Sequence, residues 1–298
     1  MKKKSYGRLK KNRGQIGLHI FFIILSLCYI IPLILVISAS FTSEEDLVQY
    51  GFSLFPKNPS LEAYKLVFQN PTQILNSYKT TIIFSSVSTI LAILVMGVMA
   101  YPLSRPTFVL RNVITFYAFF TMLFSAGMVP SYIINTKVLH LGNSIWIYIL
   151  PGLVSAYNLI VIRTSYKSLP NELFESAKLD GAGELRICFQ IVMPLCKATL
   201  ASIGFLFLVD KWNTWTTASI YIRDPDLYSL QYLLQRILRE AEFIQEMAKQ
   251  GIENVEGLMP IESLRYAMAM VAAGPILLVF PLFQKHFTKG MVIGSVKG

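Results

Sequence analysis

Apolar and polar stretches alternate along this chain on the scale of whole membrane crossings. Residues 18–40 carry no formal charge and are long enough to cross a hydrocarbon core of ~30 Å. Further apolar runs cover about 76–103, 112–136, 144–166, 197–222 and 264–284. The pattern predicts an all-α polytopic membrane protein with six transmembrane helices over residues 18–284, a basic N-terminal segment at 1–17 and a tail at 285–298. The third run contains Gly127 and Pro130, and the proline predicts a bend there, with a backbone carbonyl to be satisfied inside the bundle. Pro151 and Gly152 mark the outer end of the fourth run.

Charge orients the spans. Residues 1–17 hold Lys2, Lys3, Lys4, Arg8, Lys10, Lys11 and Arg13 and no acid. Segment 41–75 is net negative, with Glu44, Glu45 and Asp46, and segment 223–264 carries eight acids against five bases once Arg265 is counted. The turn with Arg105 and Arg111, segment 167–195 and the tail with Lys285, Lys289 and Lys297 fall on the side of the basic N-terminus. The positive-inside rule therefore predicts cytoplasmic N- and C-termini and a cytoplasmic 167–195 loop, with 41–75 and 223–264 outside. Ser38-Ala39-Ser40 loosely resembles a signal-peptide cleavage site, but the apolar run exceeds the ~7–15 residues of a signal core.

Composition narrows the function. The chain is 54% hydrophobic and 15% charged, whereas soluble proteins carry about a quarter charged residues. Its net charge of +10 sits at span ends and not in a basic domain with stacking aromatics, which argues against a nucleic-acid partner. Cys28, Cys188 and Cys196 form neither a disulfide framework nor a metal set and read as small apolar fillers. No Gly-rich loop ends in Gly-Lys-Ser/Thr, and His19, His140 and His286 lie near different membrane ends. The chain is predicted to hold no cofactor and to catalyse nothing itself.

Segment 167–195 breaks the apolar pattern, with nine charged residues from Arg163 to Lys197. It predicts two short helices. Ser168 or Leu169 caps the first and Pro170 suits its opening turn, where a missing N–H would be unpaired anyway. Leu173, Phe174 and Ala177 make an apolar stripe opposite Glu172, Glu175, Ser176 and Asp180. Gly181 supplies a left-handed stop. A second helix runs over 184–192 with Leu185, Cys188, Phe189 and Val192 on one side, and Pro194 ends it. Such an amphipathic pair between two spans is suited to docking on a partner outside the bilayer.

Glu175-x-Ala177, then Gly181, then nine residues, then Ile191-x-x-Pro194 resembles the EAA loop of the membrane subunits of binding-protein-dependent ABC importers. Ser176 stands where Ala is common and Met193 where Leu is common, both conservative changes. The resemblance implies a type I ABC importer permease fold in a bacterial cytoplasmic membrane. It also implies a loop seated in a cleft of a cytoplasmic ATPase subunit, with Glu175 paired to a basic residue there. ATP and Mg would be bound by two such ATPase subunits, whose closure draws the loops together and turns the spans in alternating access. Residues 290–298, with Gly294, Ser295 and Lys297, resemble the tail of the carbohydrate, maltose-type branch, most of all the LplC- and YtcP-like complex-oligosaccharide permeases. In that branch the tail reaches between the ATPase subunits; a flexible basic tail is the other reading. The implied partners are a second homologous permease subunit, an extracytoplasmic solute-binding protein and a sugar or oligosaccharide substrate.

The fifth apolar run holds Asp210, Lys211, Trp212, Asn213 and Trp215. Charges inside a membrane usually face a cavity or a partner. Asp210 and Lys211, as neighbours on a helix, point ~100° apart and do not simply neutralise each other. Hydroxyls need hydrogen-bond partners and sugar C–H faces stack on rings, so the stretch is a candidate substrate path. In the resembling carbohydrate permeases a Trp-Asn-x-Trp-like stretch occurs at this place. Interfacial anchoring by the indoles, with the charges bonded to a partner permease, is the competing reading. Tyr157 and Asn158 are further candidates. The segment 223–264, helical in feel over 227–250, could face a solute-binding protein or pack on the neighbouring permease. The same fold could carry amino acids, peptides or inorganic ions. An ATP-independent secondary transporter would call for inverted repeats and paired membrane carboxylates, which are not apparent, and would leave the docking loop unexplained.

Overall fold

The computed structural model describes residues 13–124, 126–250 and 260–294. Along the chain the helices are α1 (Arg13–Ser40), α2 (Glu44–Tyr50), α3 (Glu62–Val67), α4 (Pro71–Ser104), α5 (Arg111–Leu123), α6 (Met128–Ile133), α7 (Trp146–Ile149) and α8 (Ala156–Lys167). There follow α9 (Glu172–Leu179), α10 (Glu184–Ile187), α11 (Met193–Leu195), α12 (Lys197–Trp212), α13 (Thr216–Tyr221), α14 (Leu230–Lys249) and α15 (Ile261–Gly294). Among the described residues β structure is confined to one isolated bridge, Thr42 with Pro59.

Three helical stretches are long and apolar enough to cross a membrane: 15–40, α4 and 261–281. Two bent pairs, α5 with 128–138 and 184–195 with α12, raise the number to five at most, against the six expected. The differences have local causes. The third expected span breaks after Leu123, where Phe124 is extended, and the helix restarts at Met128 behind Gly127 at φ +84°. Pro130 follows that break and lies in the first turn of α6, where its missing N–H is harmless, so it does not make the bend. The fourth expected span is split, because Pro151 and Gly152 separate the four-residue α7 from the twelve-residue α8. Twelve residues rise only ~18 Å. The fifth stops at Trp212 and resumes at Thr216. The last helix runs past the expected end at 284 to Gly294, so residues 285–294 continue it.

Contacts divide the chain into two units, Met1–Gln69 with Leu238–Val271, and Asn70–Ile237 with Ala272–Gly298. In the first, the acids of segment 41–75 are spent on local structure. Glu44, 8% exposed, accepts from the backbone N–H of Glu262 and of Ser263 at 3.0 Å each and from Ser263 Oγ at 3.1 Å. It thereby caps the start of α15, where free N–H groups and the helix dipole favour a carboxylate. Asp46 Oδ2 accepts both the backbone N–H and the side-chain amide of Asn58, which closes the loop after α2.

In the second unit α4 packs against α8 and α12. Its buried face carries Ser77, Thr81, Ser85, Ser88, Ala92, Gly97 and Ala100. Small residues at this spacing let helix backbones approach where no water drives association. The approach is tight at Gly97: a Cβ there would lie 2.9 Å from Met193 Cε and 3.4 Å from Tyr166 Oη. Gly97→Leu is expected to destabilise the unit by ~1–3 kcal/mol through overpacking, read as a lower unfolding temperature in detergent. Gly97→Ala, which displaces only a flexible methionine tip, is expected to cost much less.

Candidate coupling site

Segment 167–195 forms two helices, as its pattern predicts, but they begin and end differently. Ser168 closes α8, its N–H bonded to Thr164 O at 3.2 Å and its Oγ donating to Ser165 O at 2.7 Å. Pro170 precedes α9 instead of opening it. Asn171 is the cap residue, and its carbonyl accepts from the N–H of Phe174 and of Glu175. The stop is built on Gly181 at φ +78°. Gly181 N–H bonds to Lys178 O at 3.0 Å and Ala182 N–H to Ala177 O at 2.9 Å, the paired bonds of a Schellman turn.

The second helix is not regular. Between α10 and α11 residues Cys188–Val192 widen into a π turn, and Met193 N–H reaches back five residues to Cys188 O. Pro194, with no N–H and a ring that crowds the preceding turn, gives the physical reason for the widening. The helix then continues through Leu195, and the chain turns by 79° at Cys196, two residues after the proline. The buried face also differs from the one expected. Ile187, Cys188 and Val192 are buried, whereas Leu185 is 69% and Phe189 47% exposed, so the expected Leu185/Phe189 side does not face the core. Burial raises the Cys188 pKa and keeps the thiol protonated, consistent with a filler.

The helix pair is fixed to the ends of α4 and α8. Phe174, Ala177, Ile187, Cys188 and Val192 share one apolar cluster with Tyr101, Leu103 and Tyr166. The Arg105 guanidinium lies 3.5 Å from the centroid of the Phe174 ring, and donates to Tyr166 O at 3.0 Å and Ser104 Oγ at 3.0 Å. Arg163 Nε donates to Leu103 O at 2.9 Å. Glu184, at the start of α10, accepts from the Tyr101 hydroxyl and pairs with Lys178 Nζ at 2.7 Å, closing the two helices on each other. Arg105, Tyr101 and Glu184 are the members of this joint that pattern reading passed over. Their only signals are an arginine just past an apolar span and an acid opening a helix just past a glycine stop.

Lys178 and Tyr101, in that order, hold the Glu184 pKa below the ordinary carboxylate value. A depressed carboxylate contributes stability above its unfolded pKa and loses it as pH falls through the lower folded value. The loop is therefore expected to keep its amide-exchange protection down through pH ~4.5 and to lose it only at more acid pH. In Glu184→Gln that acid step is expected to disappear.

Opposite the joint, Glu175, Ser176 and Asp180 are exposed, together with Leu179 at 88% and Leu185. Ala177 faces inward, Ile191 is half-buried against the cluster and Pro194 is exposed. The loop thus presents acids and uncovered leucines outward while its other face is locked to the membrane helices.

The candidate path residues separate into two groups. Lys211 is half-buried, and its ammonium donates to Tyr148 O at 2.9 Å and Pro151 O at 3.1 Å. These carbonyls lie at the α7–α8 break, so Lys211 satisfies backbone that the broken helix leaves open. Trp212 is 5% exposed and its Nε1 donates to Ala272 O at 2.9 Å. Asp210, Asn213, Trp215 and Tyr157 are exposed, and Asn158 is half-buried. Gly294 is the last residue of α15, while Ser295 and Lys297 lie outside the described residues. Among the described residues no group of acids, histidines or cysteines could hold a metal ion.

Comparison with known proteins gives this geometry a family. Residues 81–293 match the model of the binding-protein-dependent transport system inner membrane component. The polygalacturonan/rhamnogalacturonan transport system permease protein YtcP of Bacillus subtilis (strain 168) is 37% identical over 279 residues, covering 93% of this chain and 96% of the relative. Protein LplC of the same organism is 38% identical over 270 residues, covering 90% of each. The crystal structure of a bacterial ABC transporter involved in the import of the acidic polysaccharide alginate contains a chain with a TM-score of 0.75 to this one. The two are 26% identical, and the likeness covers 96% of this chain and 100% of that chain. The fold is that of a type I ABC importer permease, and the chain belongs to the family of binding-protein-dependent transport system inner membrane components.

Proposed function

We propose that this chain is one of two homologous permease subunits of an ABC importer for an oligosaccharide. It provides half of the translocation path and receives the motion of two cytoplasmic ATPase subunits through residues 167–195. The observation that carries the reading is the two-sided loop: Glu175, Asp180, Leu179 and Leu185 are exposed, while Phe174 and Glu184 are held by Arg105 and Tyr101 at the end of α4. A loop that merely joined two spans would need neither face. ATP and Mg belong to the partner subunits, and this chain contributes the lever. An extracytoplasmic binding protein delivers the sugar on the face of segments 41–75 and 223–264, and both termini lie in the cytoplasm. The tail beyond Gly294 reaches the ATPase pair.

The sugar class is supported by the relatives, whose names include polygalacturonan, rhamnogalacturonan, arabinooligosaccharide and alginate transport. Within this chain the exposed Asp210, Asn213, Trp215 and Tyr157 supply the hydrogen-bonding groups and rings that a sugar needs, and Asn158 is half-buried. Lys211 and Trp212 are instead bonded to the backbone of the fold, at Tyr148, Pro151 and Ala272. The test is reconstitution of the complete importer in proteoliposomes, with ATP hydrolysis measured against neutral and uronate-containing oligosaccharides presented by the binding protein. Stimulation by at least one oligosaccharide and by no amino acid or peptide supports the reading. Stimulation by a non-sugar solute, or uptake without ATP, overturns it.

A further inference from the structure

Where α4 ends, α5 begins and α8 ends, a cleft of about 370 Å³ opens that shares Arg105 and Arg163 with the joint described above. Four of its lining residues are cations, Arg105, Arg111, Arg163 and Lys167, joined by Ser104 and Asn171, and none of its lining residues is acidic. The hydrogen bonds of the three guanidinium groups go to neutral oxygens: Tyr166 O, Ser104 Oγ, Arg105 O and Leu103 O. The nearest carboxylate on the Arg105 side, Glu184, is bound by Lys178 and Tyr101. Lys167 is exposed.

A cluster of cations in a cleft whose lining holds no acid attracts an anion, and guanidinium and ammonium donors suit phosphate oxygens. What surrounds the cleft decides between a soluble anion and a lipid. From Asn112, which lines the cleft, the exposed face of α5 runs on as Phe116, Phe119, Phe120 and Leu123, all 44% exposed or more. These positions, three and four residues apart, form one apolar strip along the helix. A charged pocket continuous with an apolar strip matches a headgroup with its acyl chains, and a free anion has no use for the strip.

We propose that this cleft binds the phosphate-bearing headgroup of an anionic phospholipid, with the acyl chains along α5. Given the orientation proposed above, the lipid belongs to the cytoplasmic leaflet, and it would brace the span ends that carry the coupling loop.

The probe is native mass spectrometry of the full chain in neutral detergent, titrated with phosphatidylglycerol, phosphatidylcholine or inorganic phosphate. Phosphatidylglycerol is expected to be retained in preference to phosphatidylcholine and to resist displacement by inorganic phosphate. Arg111→Gln combined with Lys167→Gln is expected to weaken it about tenfold or more, since each surface cation is worth ~1 kcal/mol towards anionic lipid. Lys167→Arg is expected to keep it. Unfolding temperature, followed in parallel, separates lost binding from lost fold; both substituted side chains lie at the rim and are not buried. Equal retention of the two lipids, or phosphatidylglycerol binding unchanged in the double variant, overturns the proposal. Displacement by inorganic phosphate overturns it in favour of a soluble anion. Binding in detergent does not depend on which leaflet the cleft faces, so a wrong orientation would show separately, in labelling of Lys167 from the two sides of sealed vesicles.

Discussion

Phe174→Ala is expected to lower the stimulation of ATP hydrolysis by sugar-loaded binding protein at least tenfold in the assembled importer. Phe174 is 6% exposed and is the ring on which Arg105 rests. Its removal takes away a buried aromatic, worth ~3–5 kcal/mol in a packed core, and the cation–π contact with it. The loss falls on the joint between the loop and the end of α4, which a motion of the loop must cross to reach the membrane helices. Phe174→Leu, which refills most of the volume but offers no ring to Arg105, is expected to fall between wild type and the alanine variant. Leu179→Ala, on the outward face, is expected to leave the unfolding temperature unchanged. Full stimulation in a folded Phe174→Ala complex would mean that the loop transmits nothing through this joint.

Lys211→Met has the second large expected effect, and its sign separates two roles. Lys211 gives two charge-assisted hydrogen bonds to carbonyls exposed by the α7–α8 break. Each such bond is worth ~1.5–3 kcal/mol, and methionine keeps the volume while leaving both carbonyls open inside a membrane protein. The expected result is an unfolding temperature lower by several degrees together with lost transport. If Lys211 instead grips the sugar, the variant would keep its stability and lose only substrate stimulation. Asp210→Asn, on an exposed side chain, is expected to leave stability unchanged.

How much of this was legible in the sequence depended on the range of the interaction concerned. The Gly181 stop and the amphipathic α9 are written within one helical turn, by a glycine and a stripe of three apolar residues. The EAA spacing, which runs from Glu175 to Pro194, was readable as a resemblance to a family motif. The breaks in the fourth and fifth spans were not, because an apolar run looks alike whether its helix is continuous or interrupted; a bend in the third was legible, but from Pro130. That helix in fact ends at Leu123, ahead of both Gly127 and Pro130. In the second helix of the pair the buried side is centred on Ile187, Cys188 and Val192, which leaves Leu185 and Phe189 outward. Lys211 and Trp212 read as substrate-facing because their partners, Tyr148, Pro151 and Ala272, lie about 60 residues away in sequence. Arg105 was visible only as a charge marking a span end. Its ring partner sits across the loop, and only the folded chain brings them together.

The central claim is that the outward face of 167–195 docks an ATPase while its inward face moves the spans. The most direct measurement is affinity purification of the importer from native membranes, carrying either wild-type chain or Glu175→Arg with Leu185→Asp. The account predicts that the wild type brings down a second permease and an ATPase. The variant, with the inward joint untouched, should keep the permease and lose the ATPase. Equal recovery of the ATPase in both, or a wild-type chain that purifies alone and transports without ATP, would contradict it.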